Sequence, residues 1–172
     1  AGGRIAVESR PGQGSTFAIH LPKSVTTQII NGFVVYSGGQ PFVLPLESVI
    51  QTMRVPADEI ESVTGRGRCV LRHGELLAVV SLQDALAGVR RPGVPAQDET
   101  LVAVRGQRGR YAVAVDSVLG VRKLVLKAIH GLSGQTGLVT GAALMGDGAI
   151  ALVLGLEDLL ASGPYSENSA AA

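Results

Sequence analysis

The chain has 172 residues, 46% of them apolar, which is enough for real cores in one domain or two small ones. A net charge of +1 gives no strong pull toward nucleic acid or anionic lipid, and the 23 glycines follow no three-residue period, which excludes collagen. With 3% aromatic and 17% charged residues, Val, Leu, Ile and Ala must do the packing, and some apolar surface is left over for a partner.

In chain order, residues 4–8 and 15–21 read as two strands about a Pro-Gly turn, with Phe17, Ile19 and Leu21 on one face and His20 on the other. Residues 23–28 are polar and read as a linker. Strands follow at 29–36 and 42–46, joined by Ser37-Gly38-Gly39-Gln40. Phe42, Leu44 and Leu46 face one way in the second of these. Pro45 lacks an amide hydrogen, so that strand is expected at an edge or with its amide side free there. Residues 49–55 are β-prone, and 56–68 read as a polar loop with one helical turn at 57–60. Residues 69–72 and 75–80 form a hairpin across His73-Gly74. Ser81 then caps a short helix whose Leu82, Ala85 and Leu86 share a face, with Asp84 at the answering position of a capping box. Residues 88–99, rich in Gly, Pro and Arg, read as a second linker, and 163–172 as a frayed tail.

The segment from 100 to 162 repeats the one from 29 to 87. Phe42–Ile50 aligns with Tyr111–Leu119 at an offset of 69, and Leu71–Leu76 aligns with Met145–Ile150 at an offset of 74. One module has been copied, with a loop about five residues longer in the second copy. Leu156, Leu159 and Leu160 repeat the helical spacing of Leu82, Ala85 and Leu86. Short strands at regular spacing, some sixty residues per copy, predict an all-β chain of two tandem SH3-like five-stranded barrels with short helices.

No constellation carries catalytic or cofactor chemistry. Ser117 stands beside Asp116, but no Gly-x-Ser-x-Gly elbow occurs, and the pair reads as the end of a strand. Gly146-Asp147-Gly148 reads as a hairpin turn. Gly12-Gln13-Gly14-Ser15-Thr16 lacks the Lys of a phosphate loop. His20, His73 and His130 are scattered, and with Cys69 as the one cysteine they make no zinc site. That single Cys also excludes an internal disulfide, which suits a reducing cytosol. No signal-peptide pattern is present, and the longest apolar run, residues 149–156, is strand-length. Arg105, Arg108 and Arg110 lie among glycines with only Tyr111 near, which leaves a nucleic-acid-binding tandem barrel as a rival reading. Val118, Leu119 and Val121 form an apolar strip interrupted by Gly120, where a partner backbone has room to approach; the competing reading is ordinary core.

The Leu-Pro-Leu strand, the Arg-His-Gly-Glu hairpin, Val115–Gly120 and Gly141–Gly148 together resemble the CheW-like domain. The opening segment, Gly2–Ser9 with Gly12, Gly14–Phe17 and Leu21-Pro22, resembles the end of a histidine-kinase ATPase domain. That order is the C-terminal arrangement of the chemotaxis histidine kinases, the CheA family, and the chain reads as a fragment of one. The resemblance implies two SH3-like barrels around a shared core, a cytoplasmic location, and a non-catalytic docking role for the CheW adaptor and the chemoreceptor cytoplasmic tip. It divides the chain into an ATPase hairpin (1–22), a linker (23–28), barrel 1 (29–87), a linker (88–99), barrel 2 (100–162) and a tail (163–172). It also places Phe33 and Val34 at paired aliphatic positions that contact the adaptor. A stand-alone adaptor is the other alternative, against which the ATPase-like hairpin argues. The open edge of that hairpin offers dimerisation by strand pairing. No cofactor, metal, nucleic acid or membrane insertion is implied.

Overall fold

A computed structural model describes residues 4–12, 14–20, 28–64, 67–89, 93, 95–107, 109–127 and 138–161. The expectations for Leu21, for most of the 23–28 linker, for Arg108, for His130 and for the tail lie outside these residues, as do the side chains of His20 and Leu160.

Alternating sequence and glycine turns produce nearly all of the fold. Strands β1 (Arg4–Arg10) and β2 (Gly14–His20) form a two-stranded sheet of their own, pairing Ile5 with Ile19 and Val7 with Phe17. In the first copy, β3 (Gln28–Ser37) turns into β4 (Gln40–Pro45) through Gly38 and Gly39, both at positive φ. That backbone matches the natural twist of a hairpin, and glycine adopts it without strain. Strand β5 (Val49–Val55) follows, then a 3-10 turn at Ala57–Glu59, then β6 (Ile60–Val63), β7 (Gly67–Arg72) and β8 (Glu75–Ser81). His73 (φ 49°) and Gly74 (φ 77°) make the β7–β8 turn. Helix α1 (Leu82–Ala87) is capped at its start by the Ser81 hydroxyl, which accepts from the Asp84 amide at 3.2 Å. Left-handed Gly88 ends it, with the amides of Gly88 and Val89 returning to the carbonyls of Ala85 and Asp84. The second copy supplies β9 (Glu99–Gly106), β10 (Gly109–Val115), β11 (Ser117–Lys127), β12 (Val139–Leu144), β13 (Ile150–Leu154) and α2 (Leu156–Ala161). The expected 56–68 loop holds a strand, β6, which is too short to show a period and forms by pairing with β7.

The copies do not close barrels of their own, which corrects the assignment of one barrel to 29–87 and one to 100–162. The closed barrel runs β11-β12-β13-β4-β3, and the other unit is a six-stranded sheet, β5-β9-β10-β8-β7-β6. Each copy has given its opening hairpin to the other. The register obeys the repeat. Phe42 faces Leu152 and Tyr111 faces Ala78 in two parallel pairings, and the equivalent residues of the two pairings are separated by the repeat offsets, Phe42 and Tyr111 by 69 and Ala78 and Leu152 by 74. The β-bulge repeats too: Val118/Gly120 against β3 matches Val49/Gln51 against β9. The second unit opens where Pro56 occupies the position of Val125, the residue at which β11 begins to pair with β12. Proline has no N–H to give the ladder, so the chain turns off instead of closing the barrel. Pro45 pairs with Gly32 on one side and lies beyond the Phe42–Val43 pairing on the other, so its missing amide disturbs no ladder.

Three cores result. The closed barrel is filled by Val34, Val43, Leu124, Ala143, Met145 and Ala151. The six-stranded sheet covers Val55, Ile60, Val70, Leu77, Val79, Leu101, Ala103 and Ala112. Between the units lies a third and larger layer containing Phe33, Val35, Phe42, Leu44, Tyr111, Val113, Val115, Leu154 and both helices' inner faces. Phe42 and Leu44 are buried as expected, and so are Tyr111, Val113 and Val115, but the two sets meet in this shared layer and not in separate lumens. Leu46 is only partly buried against it.

Two substitutions probe this packing. A Cβ on Gly32 would lie 2.4 Å from Val43 Cγ1 and 2.7 Å from Leu124 Cδ1, so Gly32→Ala is expected to cost about 1–3 kcal/mol in urea unfolding. Burial pushes the Tyr111 phenol well above its ordinary pKa, and its hydroxyl donates to the Leu156 carbonyl at 2.6 Å. Its folded pKa is raised, so its contribution is complete below the unfolded value of about 10 and is lost as pH climbs past it. Tyr111→Phe, the aromatic type that the first copy carries at Phe42, is expected to lose about 1 kcal/mol at neutral pH and to flatten the alkaline fall in stability.

Candidate functional site

The five expected docking residues are not one surface. Val34 is fully buried in the closed barrel, and Phe33 is buried in the central layer. Both belong to core because β3 is covered on its two faces, one by the barrel lumen and one by the opposite unit; their assignment to a docking surface is corrected. Val118 packs partly buried against the central layer, and Leu119 packs against the barrel interior at the bulge. Gly120 (φ 84°) provides that bulge. Val121 alone of the five is exposed, at 48%.

A more coherent surface lies farther along the same strands. Ile29 pairs with Val125, Val125 with Leu144, and Leu144 with Ile150. Directly paired residues point to the same side of a sheet. These four aliphatic side chains therefore cross β3, β11, β12 and β13 in a single row. At a strand spacing of about 4.8 Å the row is roughly 14 Å long. Ile29, Leu144 and Ile150 are exposed at 73%, 47% and 64%, and Val125 is half-buried. The row is continuous with the central layer: Leu152 and Leu154, two and four residues beyond Ile150 on β13, pack into or against it, as Phe33 does beyond Ile29. The closed barrel's face is thus covered by the six-stranded unit over most of its length and overhangs it at one end. The sequence did carry a signal of this. Ile29-Ile30, Leu124-Val125, Ala143-Leu144 and Ile150-Ala151 are apolar doublets, and a strand with adjacent apolar residues has two apolar faces.

A matching overhang exists on the other unit, where Leu71 and Leu76 are cross-strand partners exposed at 61% and 38%. Ion pairs from Arg72 to Glu59 and from Arg110 to Glu75 flank them.

The remaining motifs resolve into structure. Asp116 fastens the β3–β4 turn, its carboxylate accepting from the Gly38 amide at 2.7 Å and its own amide donating to the Tyr36 carbonyl at 2.9 Å. The Asp147 carboxylate accepts from the Ala149 amide and shapes the β12–β13 turn. Arg110, on the strip of arginines, is paired with Glu75. A polar cleft of about 590 Å³ runs beside residues 95–100 and is lined by Arg54, Arg68, Asp84 and Asp116 among others. Its two arginines are already engaged, Arg68 with Glu99 and Arg54 with Asp98. Among the described residues no three His, Cys, Asp or Glu side chains cluster in a way that could hold a metal ion, and no helix is long and apolar enough to cross a membrane.

The fold is a closed barrel and a six-stranded sheet interlocked by exchanged hairpins. The CheW-like domain family matches residues 31–163, and the chain belongs to that family. Among full-length relatives it is 32% identical to the chemotaxis protein CheA of Cereibacter sphaeroides over 158 residues, covering 91% of this chain and 23% of that protein. It is 34% identical over 163 residues to CheA of Halobacterium salinarum, covering 91% and 22%. The chain thus spans less than a quarter of these relatives. The crystal structure of the scaffolding protein TtCheW from Thermoanaerobacter tengcongensis shares the fold, with a TM-score of 0.63 at 16% identity over 77% of this chain and 92% of that one.

Charge placed on the two surfaces should separate them. Ile150→Glu or Leu144→Glu is expected to leave the melting temperature within a few degrees of the parent, whereas Val34→Asp, inside the closed barrel, should cost more than about 4 kcal/mol. Thermal melts followed by circular dichroism distinguish these outcomes.

Proposed function

We propose that this chain is the regulatory docking domain of a CheA-type chemotaxis histidine kinase, and that it holds the CheW adaptor through the row formed by Ile29, Val125, Leu144 and Ile150. The carrying observation is that row: aliphatic side chains left open at the edge of an otherwise covered apolar layer, in a chain whose relatives are CheA proteins. Exposed aliphatic anchors within a polar rim are what carries affinity in protein interfaces, and Val121 and Lys123 supply part of the margin. The domain acts in the cytoplasm, couples the kinase to the chemoreceptor tip, and performs no phosphoryl transfer itself. Residues 1–22 are the terminal hairpin of the ATPase domain. Ile5, Val7, Phe17 and Ile19, all more than half exposed on one face, then belong against the rest of that domain.

Calorimetric titration with a CheW adaptor tests the reading. Ile150→Glu and Leu144→Glu are expected to weaken binding at least tenfold, a loss of about 1.4 kcal/mol or more, with the fold unchanged. Unaltered binding by both variants would place the docking surface elsewhere. Removing residues 1–22 should leave the two units folded and the adaptor affinity intact, and titration with ATP should give no heat.

A further inference from the structure

The two copies treat one corner of the fold differently. In the second copy, the Gln107 carboxamide at the β9–β10 turn donates to the Glu157 carboxylate, so that turn is bridged to α2. The repeat offsets place Gly38 where Gln107 stands and Gln83 where Glu157 stands. Gly38 has no side chain with which to make the bridge. A Cβ built on it would lie 3.7 Å from Gln83 Nε2, so a side chain at this point would meet α1. Ser37 and Gln83, on the two sides of the gap, both line the polar cleft of about 590 Å³. Three groups converge there. Asp116 is exposed and gives one carboxylate oxygen, Oδ2, to the Gly38 amide at 2.7 Å, which leaves Oδ1 able to accept. Gln83 is exposed on α1, and its carboxamide accepts as well as donates. Ser37 is 4% exposed, and its hydroxyl has no hydrogen-bond partner among the described residues. Buried polar atoms are normally partnered, and this one is open to a polar group in the cleft. Charge selects the kind of group. The described lining carries Arg54 and Arg68 against four carboxylates, Asp84, Asp98, Glu99 and Asp116, and both arginines are ion-paired, with Asp98 and Glu99. An anion meets no unengaged cation in that lining, whereas a hydrogen-bond donor meets Asp116.

We propose that the cleft binds a peptide side chain ending in a planar NH2 group, a carboxamide or a guanidinium, inserted between the β3–β4 turn and α1. The chain itself shows the mode, since Gln107 fills the equivalent place in the second copy with a carboxamide. In the cleft the NH2 group donates to Asp116 Oδ1 and to the Gln83 carbonyl, and the Ser37 hydroxyl, which can accept or donate, takes the remaining contact. A carboxamide reproduces the internal bridge, and a guanidinium adds charge-assisted hydrogen bonds to the carboxylate. One side chain held this way binds weakly, with a dissociation constant on the order of 1–10 mM, and gains strength when it is carried by a partner already held nearby. None of these residues belongs to the aliphatic row, so this site and adaptor docking stand or fall separately.

Amide NMR of the whole, isotope-labelled 172-residue chain tests it, with the N-acetyl N-methylamides of glutamine, arginine and leucine as probes. The glutamine and arginine probes are expected to shift the amides of Ser37, Gly38, Gln83 and Asp116 saturably, and the leucine probe to leave them unmoved. Gln83→Ala, at an exposed helix position, and Ser37→Ala should each weaken the response about fivefold or more, with the rest of the spectrum unchanged. Asp116→Asn keeps an oxygen for the Gly38 amide and should weaken the arginine probe more than the glutamine probe. A saturable response to only one of the two probes supports the site and assigns it to that group, carboxamide or guanidinium. No saturable shift with either probe, an equal response to leucine, or a response untouched by both Gln83→Ala and Ser37→Ala overturns the proposal.

Discussion

The exchange of opening hairpins between the two copies is the constraint on which the rest of this structure depends. Each of β4 and β10 is held on one side by its own hairpin partner and on the other by a parallel strand from the opposite copy. Neither unit is complete without strands that lie far away in sequence. The parallel pairings are short, so the exchange is stabilised less by ladder hydrogen bonds than by what it buries. It turns Phe42 and Leu44 of one copy, and Tyr111, Val113 and Val115 of the other, toward a common layer. Two small barrels standing apart would each have too little interior to be stable; interlocked, they share a third core.

That layer also explains where functional surface is available. An apolar sheet face is normally covered along its whole length, because leaving it in water costs about 25 cal/mol per Å². Here the two faces are offset, and each extends beyond the other at one end. The apolar strips at Ile29–Ile150 and Leu71–Leu76 are thus leftovers of the folding interaction itself, which is why their chemistry matches that of the core. Several polar side chains hold this shape. The Asp116 and Asp147 carboxylates are bound to backbone amides, and the cleft arginines are paired with Asp98 and Glu99.

Much of this was legible in the sequence. The two repeat offsets anticipated the module and the equivalence of its strands, and they hold to the residue in the parallel pairings and in both bulges. A glycine pair marked the β3–β4 turn, His73-Gly74 marked the β7–β8 turn, and Ser81 marked the start of α1, because these features depend on backbone conformations that local sequence dictates. What local pattern could not decide was which strands pair. Alternation says that a strand has an apolar face, but not whether that face looks into its own barrel or onto a neighbour, and a hairpin exchanged between two copies of one module has the same alternation as one that is not. Val34 and Phe33 were misread for that reason, since both faces of β3 are covered from Phe33 to Val35 and only the tertiary arrangement supplies the second cover. The exposed row was hidden for the converse reason. Ile29, Leu144 and Ile150 look like core in sequence, and the offset between two packed faces, a property of neither face alone, is what leaves them in water.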